Sequence, residues 1–291
     1  MKIKKVLAVY RLPIFSNNAV EADRLILEES TRMTVELSRD PLRVDFVEEP
    51  ELEDVTQSYD LVLTMAQSQS ALKILGDRRD LFPAVWNSSE AIRSCYRRKM
   101  AETLRDADVG FAPFSVVQSK ADVGSFWRTG SSFWLKRSDF HAISDDDVTL
   151  AETPEEARVK MAGFVNKGVG EVLAQPHVNG DIWKFYGVEG GEFFRAIRVR
   201  RLLEKDVPLN AALLQRRARR AAELLGLQVW GGDVVVDAKG GLHMIDLNDW
   251  PSFRICRPEA SRAIGKLAAA FLDGSVSPSS GAGARHVSRS I

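Results

Sequence analysis

The sequence predicts an α/β protein with a small, open α/β domain at its N-terminus and two α+β subdomains after it. Three observations carry this prediction. Short β-rich runs alternate with helix-spaced segments over roughly the first 85 residues. Amphipathic segments with capping residues recur along the rest of the chain. Two hairpin signals, Gly190-Gly191 and the segment 237–242, indicate antiparallel strands in the second half.

Composition narrows the class of protein. A chain of 291 residues is long for one hydrophobic core, and its 40 basic and 40 acidic residues leave no net field that would attract nucleic acid or anionic lipid. The two cysteines, Cys95 and Cys256, are too few for a disulfide scaffold or a zinc site. Arg11 interrupts the N-terminal apolar run too early for a signal peptide or a membrane span. We therefore expect a cytoplasmic protein with neither a membrane nor a nucleic-acid partner; a homodimer stays compatible with the sequence.

The first predicted domain covers residues 1–86. Its apolar runs predict strands over 4–10, 43–49, 60–66 and 83–87, and the apolar spacing predicts helices over 21–38 and 69–75.

The second and third predicted domains cover 87–170 and 171–275, with a flexible Ser/Gly-rich tail over 276–291. In the second we expect a helix that is capped by serine and ends at Gly110, two strands and a further helix, over 88–110, 111–119, 132–138 and 152–168. The acidic run 145–147 is interpreted as a solvated loop and helix cap. In the third we expect three strands, a helix, a hairpin and a last helix, over 171–178, 181–188, 192–202, 214–226, 232–248 and 258–274.

The stretch HMIDLNDWPSF, residues 243–253, places acidic and amide groups at the end of an apolar strand. Because a strand alternates its faces, Asp246 and Asn248 point the same way. If the hairpin turns between Lys239 and Gly240, counting back along both arms puts Asp233 opposite Asp246.

Two facing carboxylates must share a proton, be separated by water or bind a cation. With Asn248 as a third oxygen donor, the set is typical of Mg²⁺ or Mn²⁺ rather than zinc. The alternative is a strand end that reaches solvent, with Asp246 capping a turn, since a one-residue shift in register would undo the pairing.

Cations for a phosphorylated ligand are the next requirement. Lys99, Lys136 and Lys184 stand out by position, the last among aromatic residues in DIWKFYGV. For each, the alternative is an exposed lysine with a packed stem. Arg195 and Arg198 fall on opposite faces of one strand, so at most one should face the same cleft as Lys184.

The order of these pieces resembles the ATP-grasp superfamily from about Asn87 to Phe271. VWNSSEAIRSCYRRKMAETL looks like the segment with the first nucleotide-binding lysine, Lys99, and FWLK like the strand that ends in the second, Lys136. VLAQPHVNGDIWKFYGV is similar to the hinge strand, and GGDVVVDAKGGLHMIDLNDWP to the closing metal-binding hairpin. The resemblance implies ATP and Mg²⁺ (or Mn²⁺) as cofactors. It implies Gln175, His177 and Val178 at the adenine, Asp181 at the ribose, and Asp233, Asp246 and Asn248 as metal ligands.

One departure from the superfamily pattern is the loop 137–148, RSDFHAISDDDV, which lacks the glycines that many members place over the phosphates. The missing glycines, His141, the Trp-Lys pair and the D-L-N-x-W-P ending look like the inositol-polyphosphate kinase branch. The N-terminal layout and the size are equally compatible with carboxylate–amine ligases such as the glutathione synthetases.

We favour the ligase, which activates a carboxylate as an acyl phosphate for attack by an amine and forms ADP; a kinase for a small polyol such as an inositol phosphate is the alternative. Lys184 and Arg198 are the predicted catalytic residues, with Arg195 as the alternative to Arg198. Arg11 and Arg137 are candidates for holding a carboxylate, and Arg198, Arg200 and Arg201 for a polyphosphate. A third hypothesis, nucleic-acid binding through the run 216–220, competes with a solvated basic helix face.

Overall fold

The computed structural model describes residues 3–16, 19–190 and 193–276, and these ranges form three four-stranded sheets in chain order. The predicted α/β class is confirmed. The predicted tail lies outside the described residues except for Val276, as does Gly191 of the predicted hairpin turn. In the part of the chain that is described, no helix is long and apolar enough to cross a membrane.

The first sheet is parallel, with the strand order β2-β1-β3-β4. Residues 6–9 of its inner strand are apolar and fully buried, as expected for a strand covered on both faces. Its strands and helices are β1 (Lys4–Val9), α1 (Val20–Leu37), β2 (Leu42–Val47), β3 (Leu61–Thr64), α2 (Gln69–Asp77) and β4 (Val85–Trp86).

Two short helices, α3 (Ser89–Ser94) and α4 (Arg97–Leu104), replace the single helix predicted over 88–110. The predicted serine cap is present, because Ser88 accepts a hydrogen bond from the Ala91 N–H. The helix is interrupted at Tyr96, whose backbone is extended (φ −62°, ψ 131°) and whose hydroxyl accepts a hydrogen bond from Gln69. The apolar sides of both helices pack into the core of the third sheet rather than the second.

The second sheet is antiparallel, with the order β5-β8-β6-β7. It corrects two predictions. The strand β8, expected in the third domain, pairs with β5 and β6, so the change of sheet falls after Pro176 rather than at residue 170. The strand β7, where only a loop was expected, follows the acidic run directly. The elements are β5 (Ser115–Gln118), β6 (Phe133–Arg137), β7 (Val148–Ala151), α5 (Pro154–Asn166) and β8 (Glu171–Pro176).

The third sheet is also antiparallel, with the order β10-β9-β11-β12. Both predicted hairpins are present as paired strands. The helix before β11 ends where Gly226 takes the left-handed conformation (φ 75°), which glycine adopts without strain. The elements are β9 (Gly180–Val188), β10 (Phe194–Arg200), α6 (Ala211–Leu225), β11 (Val229–Asp237), β12 (Leu242–Asp249) and α7 (Arg257–Leu272).

One hydrophobic core joins the first sheet to the third. Trp250 is fully buried in it, and its indole N–H donates to the Trp86 carbonyl at 3.0 Å. The final helix α7 packs against α1, so the chain returns to its first domain. The end of β12 is thereby held at the junction of the first and third sheets.

Candidate functional site

The hairpin β11–β12 brings the two predicted acids together, since Asp233 lies opposite Asp246. This prediction is confirmed, although its reasoning was wrong in one step. Val236 pairs with Leu242, and the Asp237 N–H donates to the Gly241 carbonyl, which centres the turn on Lys239.

A β-bulge corrects the offset that this turn creates. The register shifts between Asp233 and Val234, and Ile245 is the extra residue on β12. A bulged residue is left out of the ladder, so its carbonyl can bond elsewhere. Here the Ile245 carbonyl accepts from the Lys136 ammonium at 3.2 Å.

Lys184 crosses from β9 to the acidic pair. Its ammonium lies 2.8 Å from the Asp233 carboxylate, and the two residues are cross-strand partners. Burial opposes the charge of Lys184, but the ion pair with Asp233 outweighs it and raises the pKa of Lys184 above its usual value. Burial also raises the pKa of Asp233, against the pull of the lysine. At a separation of 2.8 Å we assign the charged pair.

The donor set fits a hard divalent cation. Asn248 pairs with Gly231, two residues from Asp233, and both Asn248 and Asp233 line the same cleft. Within the described ranges, no three His, Cys, Asp or Glu side chains converge as a metal cluster. Two carboxylates and one amide oxygen are the kind of incomplete set that Mg²⁺ occupies when phosphate oxygens and water supply its remaining ligands.

Lys136 reaches this hairpin from the second sheet. Its side chain is buried, and its ammonium donates to the Gln175 amide oxygen at 2.7 Å as well as to the Ile245 carbonyl. Burial lowers the pKa of Lys136 to about 8, against the attraction of Asp246. A bound anion, such as a phosphate, would favour the charged form of this buried lysine.

The first predicted phosphate lysine, Lys99, lies on the outer side of α4 and is exposed. The buried cation of that helix is Arg97. Among the described residues its Nε has no hydrogen-bond partner, and Asp246 is the charged group that acts on it most strongly. A step of two residues along an α-helix turns the side-chain direction by about 200°, so Arg97 and Lys99 face nearly opposite sides of α4. We therefore move the assignment to Arg97. The sequence carried a signal for it, because Arg97 continues the buried spacing of Met100, Ala101 and Leu104.

The hinge residues lie at the end of β8, as expected. Gln175 is buried and bridges two segments, since it accepts from Lys136 and donates to the Ala112 carbonyl at 3.2 Å. His177 is exposed; its backbone N–H donates to the Ser132 carbonyl, and its Nδ1 accepts from the Trp134 indole at 3.1 Å. Val178 is half-buried beside it. Their place at the adenine stays a prediction.

Asp181 does not fit the predicted ribose contact. It is buried, and it accepts from the Leu202 and Leu203 N–H groups at 2.7 and 2.9 Å and from Arg198 at 3.1 Å. These donors, the Leu203 N–H first among them, lower the pKa of Asp181 against the effect of burial. The buried carboxylate fastens the chain after β10, which is a structural role.

Arg198 is also held elsewhere. It pairs with Asp181 and Asp206 on the face of the sheet opposite Lys184. The prediction that only one of the two arginines shares the face of Lys184 agrees with the register, but that residue is Arg195, which lies opposite Tyr186. Arg195 thus replaces Arg198 as the candidate for the transferred group.

The two proposed carboxylate-binding arginines are engaged by the protein itself. Arg11 donates to Asp23 and to two carbonyl groups, those of Met65 and Trp250. Arg137 forms a two-point ion pair with Asp139 at 2.8 and 3.0 Å. Both act as connectors between segments of the fold.

The glycine-free loop 137–148 folds over the seam between the domains. The centroid of the Phe140 ring lies 4.7 Å from that of Tyr96 and 5.5 Å from that of Phe15. The His141 ring packs on Phe140 in a tilted arrangement. Burial, together with Arg11 and Arg97 nearby, lowers the pKa of His141 to about 3, so the imidazole is neutral at neutral pH.

The end of this loop departs from the prediction of a solvated acidic run. Asp147 is buried and accepts from the Ile143 and Ser144 N–H groups. Although burial alone would raise it, these bonds and Lys167 bring the pKa of Asp147 to about 2. Asp145 and Asp146 are exposed, as predicted.

A cleft of about 440 Å³ lies beside Asp233. One side is the sheet, with Lys184, Asp233 and Asn248, and the other is the segment after β12. Gly231 lies on the same face of the sheet as Lys184, and a Cβ atom there would lie 2.8 Å from Pro251 Cγ. The missing side chain therefore lets the segment after β12 approach the strand beside the proposed metal ligands.

Solved structures share this fold. The D-alanine–D-alanine ligase from Bacillus anthracis, solved with ATP, has a TM-score of 0.66 and 12% identity, over 94% of this chain and 99% of that one. The D-alanine–D-alanine ligase from Coxiella burnetii gives 0.64 and 13%, over 94% and 97%. D-Cycloserine synthetase gives 0.62 and 14%, over 91% and 99%.

The chain has the ATP-grasp fold, and the resemblance that the sequence indicated is confirmed at the level of the fold. No protein-family model matches the sequence, and no curated protein matches it. At 12–14% identity the likeness concerns the fold, so the activity must be argued from the site.

Proposed function

We propose that the protein is an ATP- and Mg²⁺-dependent ligase, which activates a carboxylate as an acyl phosphate for attack by an amine and releases ADP and phosphate. The observation that carries the proposal is the pairing of Asp233 with Asp246, with Asn248 beside them. This oxygen set lies in a fold shared with D-alanine–D-alanine ligases, one of them solved with ATP.

Three cations surround the proposed phosphate position. Arg97 arrives from α4, Lys136 from β6 and Lys184 from β9, and Asp246 acts on the charge of each. Cations that are fixed in advance by separate elements stabilise the charge that develops on a phosphoryl group during transfer. When bound between Asp233, Asp246 and Asn248, Mg²⁺ would neutralise charge on the phosphate oxygens.

The chemistry has two steps. A carboxylate oxygen attacks the γ-phosphorus of ATP, and the bond from that phosphorus to the β,γ-bridging oxygen breaks, which gives ADP and an acyl phosphate. The amine nitrogen then attacks the acyl carbon, the carbon–oxygen bond to phosphate breaks, and the nitrogen loses a proton to solvent. The loop 137–148, which packs through Phe140 on Tyr96 and Phe15, would help to keep water from a reactive acyl phosphate.

The position of Arg198 and Arg201, which were candidates for binding a polyphosphate, argues against a polyol kinase. A polyphosphorylated acceptor would need several cations on one face, but Arg198 is paired with two acids on the far face of the sheet. Arg201 donates to the Leu203 and Glu204 carbonyls instead of facing the cleft.

The test is a trapping experiment with hydroxylamine as the amine. Purified protein is incubated with Mg-ATP, hydroxylamine and pools of carboxylates, and ADP, phosphate and hydroxamate are measured. We expect equal amounts of all three products, and a loss of at least about 10³-fold in Asp246→Asn.

Asp145→Asn is the matched control, because Asp145 is exposed and lies outside the cleft. ADP formation with a phosphorylated alcohol and no free phosphate would instead establish a kinase. Absence of Mg-ATP binding in the wild type would refute the proposed site altogether.

A further inference from the structure

The cleft extends beyond Asp233, and Gly231 contributes no side chain to it. A Cβ atom on Gly231 would lie 2.8 Å from Pro251 Cγ and 2.9 Å from the Phe185 carbonyl oxygen. The position between Tyr186 and Pro251 therefore accepts no side chain from the strand. The volume of about 440 Å³ falls in the range of pockets that enclose drug-sized ligands, roughly 300–1,000 Å³.

The outer half of this cleft is apolar. Val199 from β10 and Ile255 from the segment after β12 line it, with Tyr186 and Pro251 deeper inside. Val199 is 43% exposed and Ile255 is 55% exposed. Large apolar side chains that line a cleft and stay open to solvent leave area for a ligand to cover.

Cations mark the rest of the cleft wall. Lys184 and Arg254 line it, and Arg195 shares the face of Tyr186. Asp233 is the acid in the lining, and it forms an ion pair with Lys184. Two cations against one acid favour a ligand with a carboxylate over one with an ammonium group.

We propose that this cleft selects a carboxylate substrate with an apolar body the size of a leucine or phenylalanine side chain, and that Val199 and Ile255 determine this selectivity. The inference rests on the proposed ligase function, in which the same carboxylate becomes the acyl phosphate. The carboxylate lies beside Lys184 and Asn248, and its apolar body extends between Val199 and Ile255.

The experiment measures hydroxamate formation with Mg-ATP and hydroxylamine for a size series with and without an α-amino group. The series is alanine, leucine and phenylalanine, and propionate, 4-methylpentanoate and 3-phenylpropionate. We expect kcat/KM for the larger members to exceed that of the smallest by at least about tenfold in at least one series, because each buried methylene adds discrimination in an apolar pocket.

Two variants assign the selectivity to the outer wall. Ile255→Ala lowers kcat/KM for the preferred large substrate by about tenfold and leaves the smallest substrate within about twofold. Val199→Thr keeps the shape of the side chain and lowers the same preference by severalfold, which guards against a folding defect. Val159→Thr, on an exposed position of α5, is the control and changes neither value.

The outcomes separate the two proposals. Hydroxamate from small and large carboxylates alike, or a preference that survives both variants, overturns the selectivity and leaves the ligase standing. Mg-ATP binding without hydroxamate from any carboxylate overturns the ligase function and the selectivity with it. A strong size preference that Ile255→Ala abolishes supports both.

Discussion

Two aspartate–cation pairs lie three residues apart along β9, on opposite faces of the third sheet. Asp181 is 1% exposed and accepts from three donors, and its partner Arg198 also binds Asp206. On the other face, Lys184 holds Asp233 through one hydrogen bond, and its side chain is 44% exposed in an open cleft. The first pair is bonded within the fold and its carboxylate is buried, whereas the second lines a cleft. A charged group within an apolar strand therefore indicates a ligand only where it lines a cleft.

The largest expected effect compares the two cations directly. Lys184→Met should lower turnover by the proposed ligase by at least about 10²-fold, because it removes a positive charge that would stabilise the negative charge of the transferred phosphoryl group. Arg198→Met should leave turnover within about twofold once the folded fraction is corrected for. Steady-state hydroxamate formation measures both. Equal losses in the two variants would contradict the distinction between the ion pair at the cleft and the one bonded within the fold.

A second prediction concerns the cations of α4. Arg97→Met should weaken Mg-ATP binding by about ten- to thirtyfold, since a buried, partly unbonded guanidinium beside Asp246 is lost. Lys99→Met, on the exposed side of the same helix, should change the affinity by less than twofold. Isothermal titration calorimetry on both proteins is the measurement, and the reverse order would restore Lys99 to the site.

A third prediction follows from the pKa of Lys136, which burial lowers from 10.5 to about 8. Bound phosphates favour the charged lysine, so the affinity for Mg-ATP should fall as pH rises above about 8, by up to about tenfold per pH unit. In the nucleotide-free protein the sign is opposite. Between pH 8 and 10.5 the unfolded chain holds more protons on this lysine, so its contribution to stability increases with pH.

Titrations of Mg-ATP across this pH window check the prediction. Lys136→Met serves as the control, because it should bind more weakly at pH 8 and lose the Lys136-dependent slope. A wild-type affinity that does not change between pH 8 and 9.5 would show that the ammonium does not meet the nucleotide.

The smallest expected effect is on stability alone. Asp181→Asn should lower the melting temperature by about 5–10 °C, because Arg198 and two backbone N–H groups lose a charged acceptor. Turnover per folded molecule should be unchanged. Differential scanning calorimetry and an activity assay at low temperature measure the two effects, and a raised KM for ATP would return Asp181 to the nucleotide site.

The meeting of the proposed metal ligands could be predicted from the sequence because it is local. Asp233, Asp246 and Asn248 lie on one hairpin, where a turn and the alternation of strand faces determine which side chains meet. The ATP-grasp fold was predictable from the order of motifs in the same way.

Residues whose partners are distant in sequence could not be assigned. Asp181 accepts hydrogen bonds from backbone N–H groups about twenty residues later in the chain, and no sequence pattern shows such a contact. The sheet of β8 was also misassigned, because its strand pattern does not say which neighbours it will pair with. Arg97 is a different case, because the helical spacing of Met100, Ala101 and Leu104 already indicates that it is buried.

The bulge at Ile245 has a consequence for recognising such hairpins in other chains. Without that residue, Met244 would be followed directly by Asp246 and the two acids would still face each other. What would disappear is the carbonyl that accepts from Lys136. The number of residues between the turn and the second acid can therefore differ by one while the two acids still face each other. A search pattern with a fixed gap would miss one of the two lengths, whereas one that allows both would also separate hairpins that contact the buried lysine from those that do not.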